Sequence, residues 1–188
     1  MRILIAAVIS EGLLLGLALA LVYLANLTIE WNWSKRALTL GLLLTLPPLA
    51  VNHLLWRYCD RNPDSIYGRF SREIIVPLCK NMHVSLAATV ALLSGMCEEL
   101  FFRGALNYLC ISYLGIIGAC ITTSALFAAM HFIGNFKRYG GMLPLYTVMG
   151  VYLWFAHSST GSLAAVALLH ALYNFIVITT VRIRTTRT

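Results

Sequence analysis

Glu98, Glu99 and Arg103 stand together in a stretch that is otherwise apolar from Val84 to Leu114. Charge at membrane depth is costly, so it is rare, faces protein or a wet cavity, and usually marks function. At about 100° per residue the two glutamates point in different directions. Glu99 and Arg103 are i and i+4, one above the other, in the favourable order for a charge pair. Glu98 is left over and aimed elsewhere, an unpaired carboxylate in an apolar surround. A carboxylate so placed is a stronger base than one in water. The chemistry it suits is proton abstraction.

Downstream polar residues repeat the pattern. Phe127 and His131 are again i and i+4, so the ring walls the face that carries the imidazole. His170 and Asn174 present two more polar groups on one face of the last apolar run. The segments on either side of Leu114-Gly115 are expected to form an antiparallel hairpin. Glu98 lies 16 residues before Leu114 and His131 lies 17 after it, so the two share a level. A lone intramembrane histidine is usually a packing residue. A Glu, a His and a His–Asn pair on three separate helices point instead to a site.

The elements that must position these groups are read from composition. The 188 residues are 60% hydrophobic and only 11% charged, with mean hydropathy +0.79. Too few charges remain to coat a soluble domain, so we expect an all-α, polytopic membrane helical bundle. Six spans of about 20 residues are predicted, near 3–25, 37–56, 83–109, 115–133, 142–157 and 161–181. The first run is too long for a signal core and is read as a retained helix. Its lone acid, Glu11, is read as packed or snorkelling. Pro47-Pro48 should kink the second run. Trp31 and Trp33 fit an interfacial belt.

Residues 1–82 thus comprise two helices and a polar connection, 83–182 a four-helix core, and 183–188 a basic tail. The stretch from Ser71 to Leu78 is expected along the membrane surface. The formal charge of +7 does not indicate nucleic acid, because no basic patch is interleaved with stacking aromatics. Arg57, Arg61, Arg69, Arg72 and Lys80, then Lys137 and Arg138, then Arg182, Arg184 and Arg187 alternate with the spans instead. With Lys35 and Arg36 on the other side, the positive-inside rule places both termini in the cytoplasm. The five cysteines are scattered and indicate neither disulfides nor a thiolate metal site. His53, His83 and His157 fall near helix ends and are read as interfacial.

One depth does not match. Counting ~1.5 Å per residue, His170 sits ~14 Å from the outer edge, and Glu98 and His131 lie ~10 Å deeper. An extension of 104–115 beyond the bilayer, or a tilted last helix, would remove the discrepancy.

Glu98-Glu99-x-x-x-Arg103, Phe127-x-x-x-His131 and His170-x-x-x-Asn174, in this order, resemble the CPBP family. These are the CAAX-protease and bacteriocin-processing (Abi-type) intramembrane endopeptidases. Local wording is similar too, in Glu-Glu-Leu-Phe-Phe-Arg-Gly-Ala-Leu and Ser-Ala-Leu-Phe-Ala-Ala-Met-His. The resemblance covers about 84–180. It implies a glutamate-dependent peptidase of a bacterial or archaeal plasma membrane, cutting near the C-terminus of a membrane-associated protein or peptide. Glu98 and His131 would activate water, and His170 and Asn174 would hold the oxyanion. Glu99, Arg103 and Phe127 would support them. No cofactor is expected; zinc held by Glu98, His131 and His170 is the rival. A proton relay in a transporter and a non-catalytic immunity or scaffold protein are the readings outside proteolysis.

Overall fold

The computed structural model describes residues 2–185, apart from the side chains of Arg2, Ile3, Leu4, Ala6 and Ala7. Arg187 of the expected tail lies outside the described residues. Among them every regular element is helical, so the all-α bundle stands. Among the described residues three segments are long and apolar enough to cross a membrane: Lys35–Arg61, Val84–Met130 and Leu163–Thr185. A shorter apolar helix spans Val8–Leu24.

Helix α1 (Arg2–Leu24) turns Leu14 and Ala18 inward, and Ala18 joins the core of Leu100, Phe102, Phe127 and Leu169. Ser34 then starts α2 (Lys35–Leu43) by accepting a hydrogen bond from the Ala37 amide at 3.3 Å. The expected proline kink is displaced. The chain breaks at Leu44-Thr45, and Pro47 and Pro48 sit in the first turn of α3 (Leu46–Arg61). A proline there loses no intrahelical bond, since that amide has no partner anyway.

The polar connection folds into α4 (Ile66–Phe70), a wider π turn over Ser71–Ile75, and α5 (Val76–Cys79). Phe70, Ser71 and Cys79 are buried, so this strap turns residues inward as well as outward. Phe70 packs edge-on against Tyr139 at 5.2 Å and lies beside Phe132.

His83 caps α6 (Val84–Glu99) through its ring nitrogen, which gives one of the histidines read as interfacial a defined local task. After Glu99 the helix widens into a π segment over Leu100–Leu106, and α7 (Asn107–Met130) follows without interruption. The 47 residues from Val84 to Met130 reverse at Gly115, whose φ of 69° and ψ of 178° are open to glycine. Phe102 meets Phe127, and Glu98 meets His131, so the pairs are symmetric about the 114–115 step. The predicted hairpin and its register are therefore present.

A short α8 (Phe136–Tyr139) leads through Gly140–Met142 into α9 (Leu143–Thr160) and α10 (Leu163–Thr185). Helix α10 runs antiparallel to α6, with Ser94 bonded to Asn174 and Glu99 to His170. Gly104 lies near Leu163, at the start of α10. The hairpin tip beyond Gly104 thus projects past α10, and the depth discrepancy disappears. At the other end, Arg184 lies over Trp56 and 3.8 Å from Asp60, while Arg138 pairs with Glu73 at 2.5 Å. The basic connections are gathered at one end of the bundle.

Candidate active site

Glu99, although next to Glu98, serves a different set of partners. Its Oε1 lies 3.2 Å from Arg103 Nη1 and accepts from His170 Nδ1 at 2.7 Å, and its Oε2 faces Arg103 Nε at 3.2 Å. Arg103 Nη2 donates across to the Gly150 carbonyl at 2.9 Å, and its guanidinium lies 4.7 Å from the centre of the Phe127 ring. Both side chains are almost fully buried. The i, i+4 pair read from spacing is thus joined to α9 and α10. Its anion fixes the ring of His170 as well as the charge of Arg103.

Glu98 has no such net. Its Oε2 is buried without a hydrogen bond, and the nearest basic atom is His131 Nε2 at 3.9 Å. His131 Nδ1 donates to the Phe127 carbonyl at 2.8 Å. A carbonyl accepts only, so this bond sets the proton on Nδ1 and turns the lone pair of a neutral Nε2 toward Glu98. Rings fix the imidazole in place, with Phe127 at 4.7 Å and Tyr146 at 4.8 Å.

Asn174 donates from Nδ2 to Ser94 Oγ at 2.8 Å, and the Ser94 hydroxyl in turn donates a hydrogen bond to the Ala91 carbonyl at 3.2 Å. The amide is oriented by that chain, with one N–H left over. His131, His170, Asn174, Ser94 and Phe127 line one wall of a cavity of about 460 Å³. Its other walls are apolar and aromatic, from α3 (Val51, Trp56), the strap (Tyr67, Phe70) and α10 (Tyr173, Val177). Size and lining are those of a site for a small or extended apolar ligand. Glu98 does not line it, and its side chain is only 10% exposed, deeper in the wall than that of His131.

All seven residues singled out from spacing, Glu98, Glu99, Arg103, Phe127, His131, His170 and Asn174, are thus brought together. Spacing missed Ser94, Tyr146 and Gly150. Ser94 carried a signal, standing one helical turn before Glu98. Tyr146 and Gly150 carried none, because only the crossing of α9 brings them near. Among the described residues no three His, Cys, Asp or Glu side chains converge on a point that would hold a metal.

Outside the apolar helices a second cluster closes the strap. Tyr139 donates to Glu73, and that bond holds the Glu73 carboxyl below the usual range, with Arg138 and Arg69 adding to it. The same bond pushes the Tyr139 phenol up.

A family model described as type II CAAX prenyl endopeptidase Rce1-like matches residues 80–176. No curated protein and no solved structure matches the chain. The matched span begins just before α6 and ends in α10, so it holds every residue of the cluster.

Proposed function

The chain belongs to the Rce1-like type II CAAX prenyl endopeptidase family, an intramembrane protease family, and from that we propose a metal-free hydrolysis centred on Glu98. One observation supports it most. His131, anchored through Nδ1 to the Phe127 carbonyl, turns Nε2 toward Glu98 across a gap of 3.9 Å. A water seated against both atoms donates one proton to the carboxylate and the other to Nε2, which leaves its oxygen lone pairs free for attack.

The steps balance. Water oxygen bonds the peptide carbonyl carbon as its proton passes to Glu98. The tetrahedral oxyanion is met by the spare N–H of Asn174 and by Nε2–H of His170 in its imidazolium form, for which Glu99 is the counter-ion. Collapse breaks the C–N bond, and the nitrogen leaves with the proton that Glu98 had taken. Fixed donors in a dry site contribute ~3–4 kcal/mol each. The substrate is the tail of a membrane-associated protein or peptide, cut near its C-terminus. The apolar walls of the cavity suit such a segment. The basic end of the bundle faces the cytoplasm.

The deciding experiment is cleavage of a C-a-a-X-type peptide by the protein in membranes. Glu98→Gln keeps the size of the side chain and removes the base, so turnover should fall by ~10²–10⁴-fold with the melting temperature unchanged. Undiminished cleavage removes Glu98 from the mechanism. A strong chelator should leave the wild type active. Loss of activity restored by zinc at one equivalent per chain would overturn the metal-free reading.

A further inference from the structure

We propose that Phe70 of the strap is a positioning residue of the active centre, holding His131 in place through the rings of Tyr146 and Phe132. This rests on the hydrolytic reading above, but its evidence is packing. The strap, residues 66–79, lies outside the span that matches the family.

His131 needs support because of where it stands. It is the C-cap of α7, and from there the chain leaves the helix. The amides of His131, Phe132 and Ile133 bond three residues back rather than four, at 3.2, 3.1 and 3.5 Å. Such bonds have poorer geometry than those of an α-helix, and helix ends fray. The imidazole is tied by one hydrogen bond, to the Phe127 carbonyl. Phe127 is on the same helix, so neither its carbonyl nor its ring fixes His131 relative to the rest of the bundle. Glu98, at 3.9 Å, is too far for a direct hydrogen bond.

Packing from other elements supplies what is missing. The Tyr146 ring, from α9, stands 4.8 Å from the imidazole. Phe132, next in the chain to His131, is only 1% exposed and meets Tyr146 edge-on at 5.0 Å. Phe70 closes the group from the strap, 5.7 Å from Phe132 and edge-on to Tyr146 at 6.3 Å. Aromatic pairs attract at these separations, so each ring restricts the next. Phe70 is itself fastened by Tyr139 at 5.2 Å, and Tyr139 by its bond to Glu73. Phe70 and Tyr146 also line the cavity beside His131. Removing the Phe70 ring gives Tyr146 and Phe132 room to turn, and Nε2 of His131 loses its place opposite Glu98.

The test is steady-state cleavage of the C-a-a-X-type peptide by the full chain in membranes. Phe70→Met nearly keeps the volume and removes the ring, and it should lower kcat by about 10- to 100-fold with KM little changed. Phe70→Leu, carried in parallel, gives the same readout if methionine is not tolerated. Tyr146→Leu should lose as much, and Tyr146→Phe, which keeps the ring, far less. The double variant Phe70→Met/Tyr146→Leu should lose less than the product of the single losses, because both act through one contact. An unchanged kcat at Phe70, a change confined to KM, equal losses in Tyr146→Leu and Tyr146→Phe, or single losses that multiply would each overturn the proposal. Heteronuclear NMR of the purified protein, labelled at histidine, needs no substrate. The His131 ring, identified by its loss in His131→Gln, should give one sharp set of signals in the wild type and a broadened or split set in Phe70→Met. An unaltered set overturns the proposal even if cleavage falls. An altered set beside an inert wild type leaves the positioning role standing and rejects the hydrolytic reading.

Discussion

Adjacent glutamates with separate tasks make the clearest residue-level case. Glu99 is held by Arg103 and His170, so removing either charge of the pair leaves the other buried and uncompensated. Glu99→Ala and Arg103→Ala should each cost about 3–5 kcal/mol, seen as an earlier thermal melt in detergent. Replacing both with leucine should recover more stability than the two single losses predict. It should not recover activity, because His170 loses the anion that orients it. An early melt for Glu98→Gln beside a stable, inactive Glu99→Ala would reverse the two roles. At Asn174, alanine should lower kcat by ~10²–10³ with KM little changed. Ser94→Ala should give a smaller loss of the same kind, since it frees the amide without deleting it. Loss of affinity instead would make Asn174 a substrate-binding residue.

Helix crossings, at the next scale, set the distances between these groups. The reversal at Gly115 uses a φ of 69° with an extended ψ, a backbone region essentially closed to other residues. Gly115→Ala should cost ~1–3 kcal/mol of stability. It should also lower activity, because any change in the turn shifts His131 relative to Glu98. A variant that melts and cleaves like the wild type would show that the hairpin does not depend on this turn. At Gly95 the limit is space. A Cβ there would stand 2.7 Å from the Ala167 carbonyl and 2.8 Å from the Ala171 side chain, on the crossing that aligns Glu99 with His170.

Across the whole molecule, the basic connections and the strap meet at one end, and this organises both topology and pH response. Cysteines placed at Ser65 and Arg138 in intact cells should be labelled from the cytoplasmic side; labelling from outside would invert the bundle. The strap is fastened by Glu73, whose carboxyl is held below its ordinary value of 4.5 by the Tyr139 hydroxyl and then by Arg138. A carboxyl lowered by folding contributes stability that is present in full above 4.5 and is lost as the pH falls through its folded value. Thermal melts of wild type and Glu73→Gln should therefore differ at neutral pH and converge in acid. A constant difference at every pH would mean that Glu73 acts by packing alone.

Sequence by itself determined the helical class and the shared level of Glu98 and His131, because helix rise and the 3.6-residue period are local properties of the chain. Glu98 and His131 could be paired by counting outward from Leu114-Gly115, since both arms rise equally per residue. The proline break was legible only as to region: the prolines were visible, but which turn they would occupy depended on where α2 lost its packing. Only the tertiary structure decided that Glu99 holds His170, that Ser94 orients Asn174 and that Gly150 receives Arg103. Those partners lie 71, 80 and 47 positions apart, and sequence spacing has no term for the crossing of helices that brings them together.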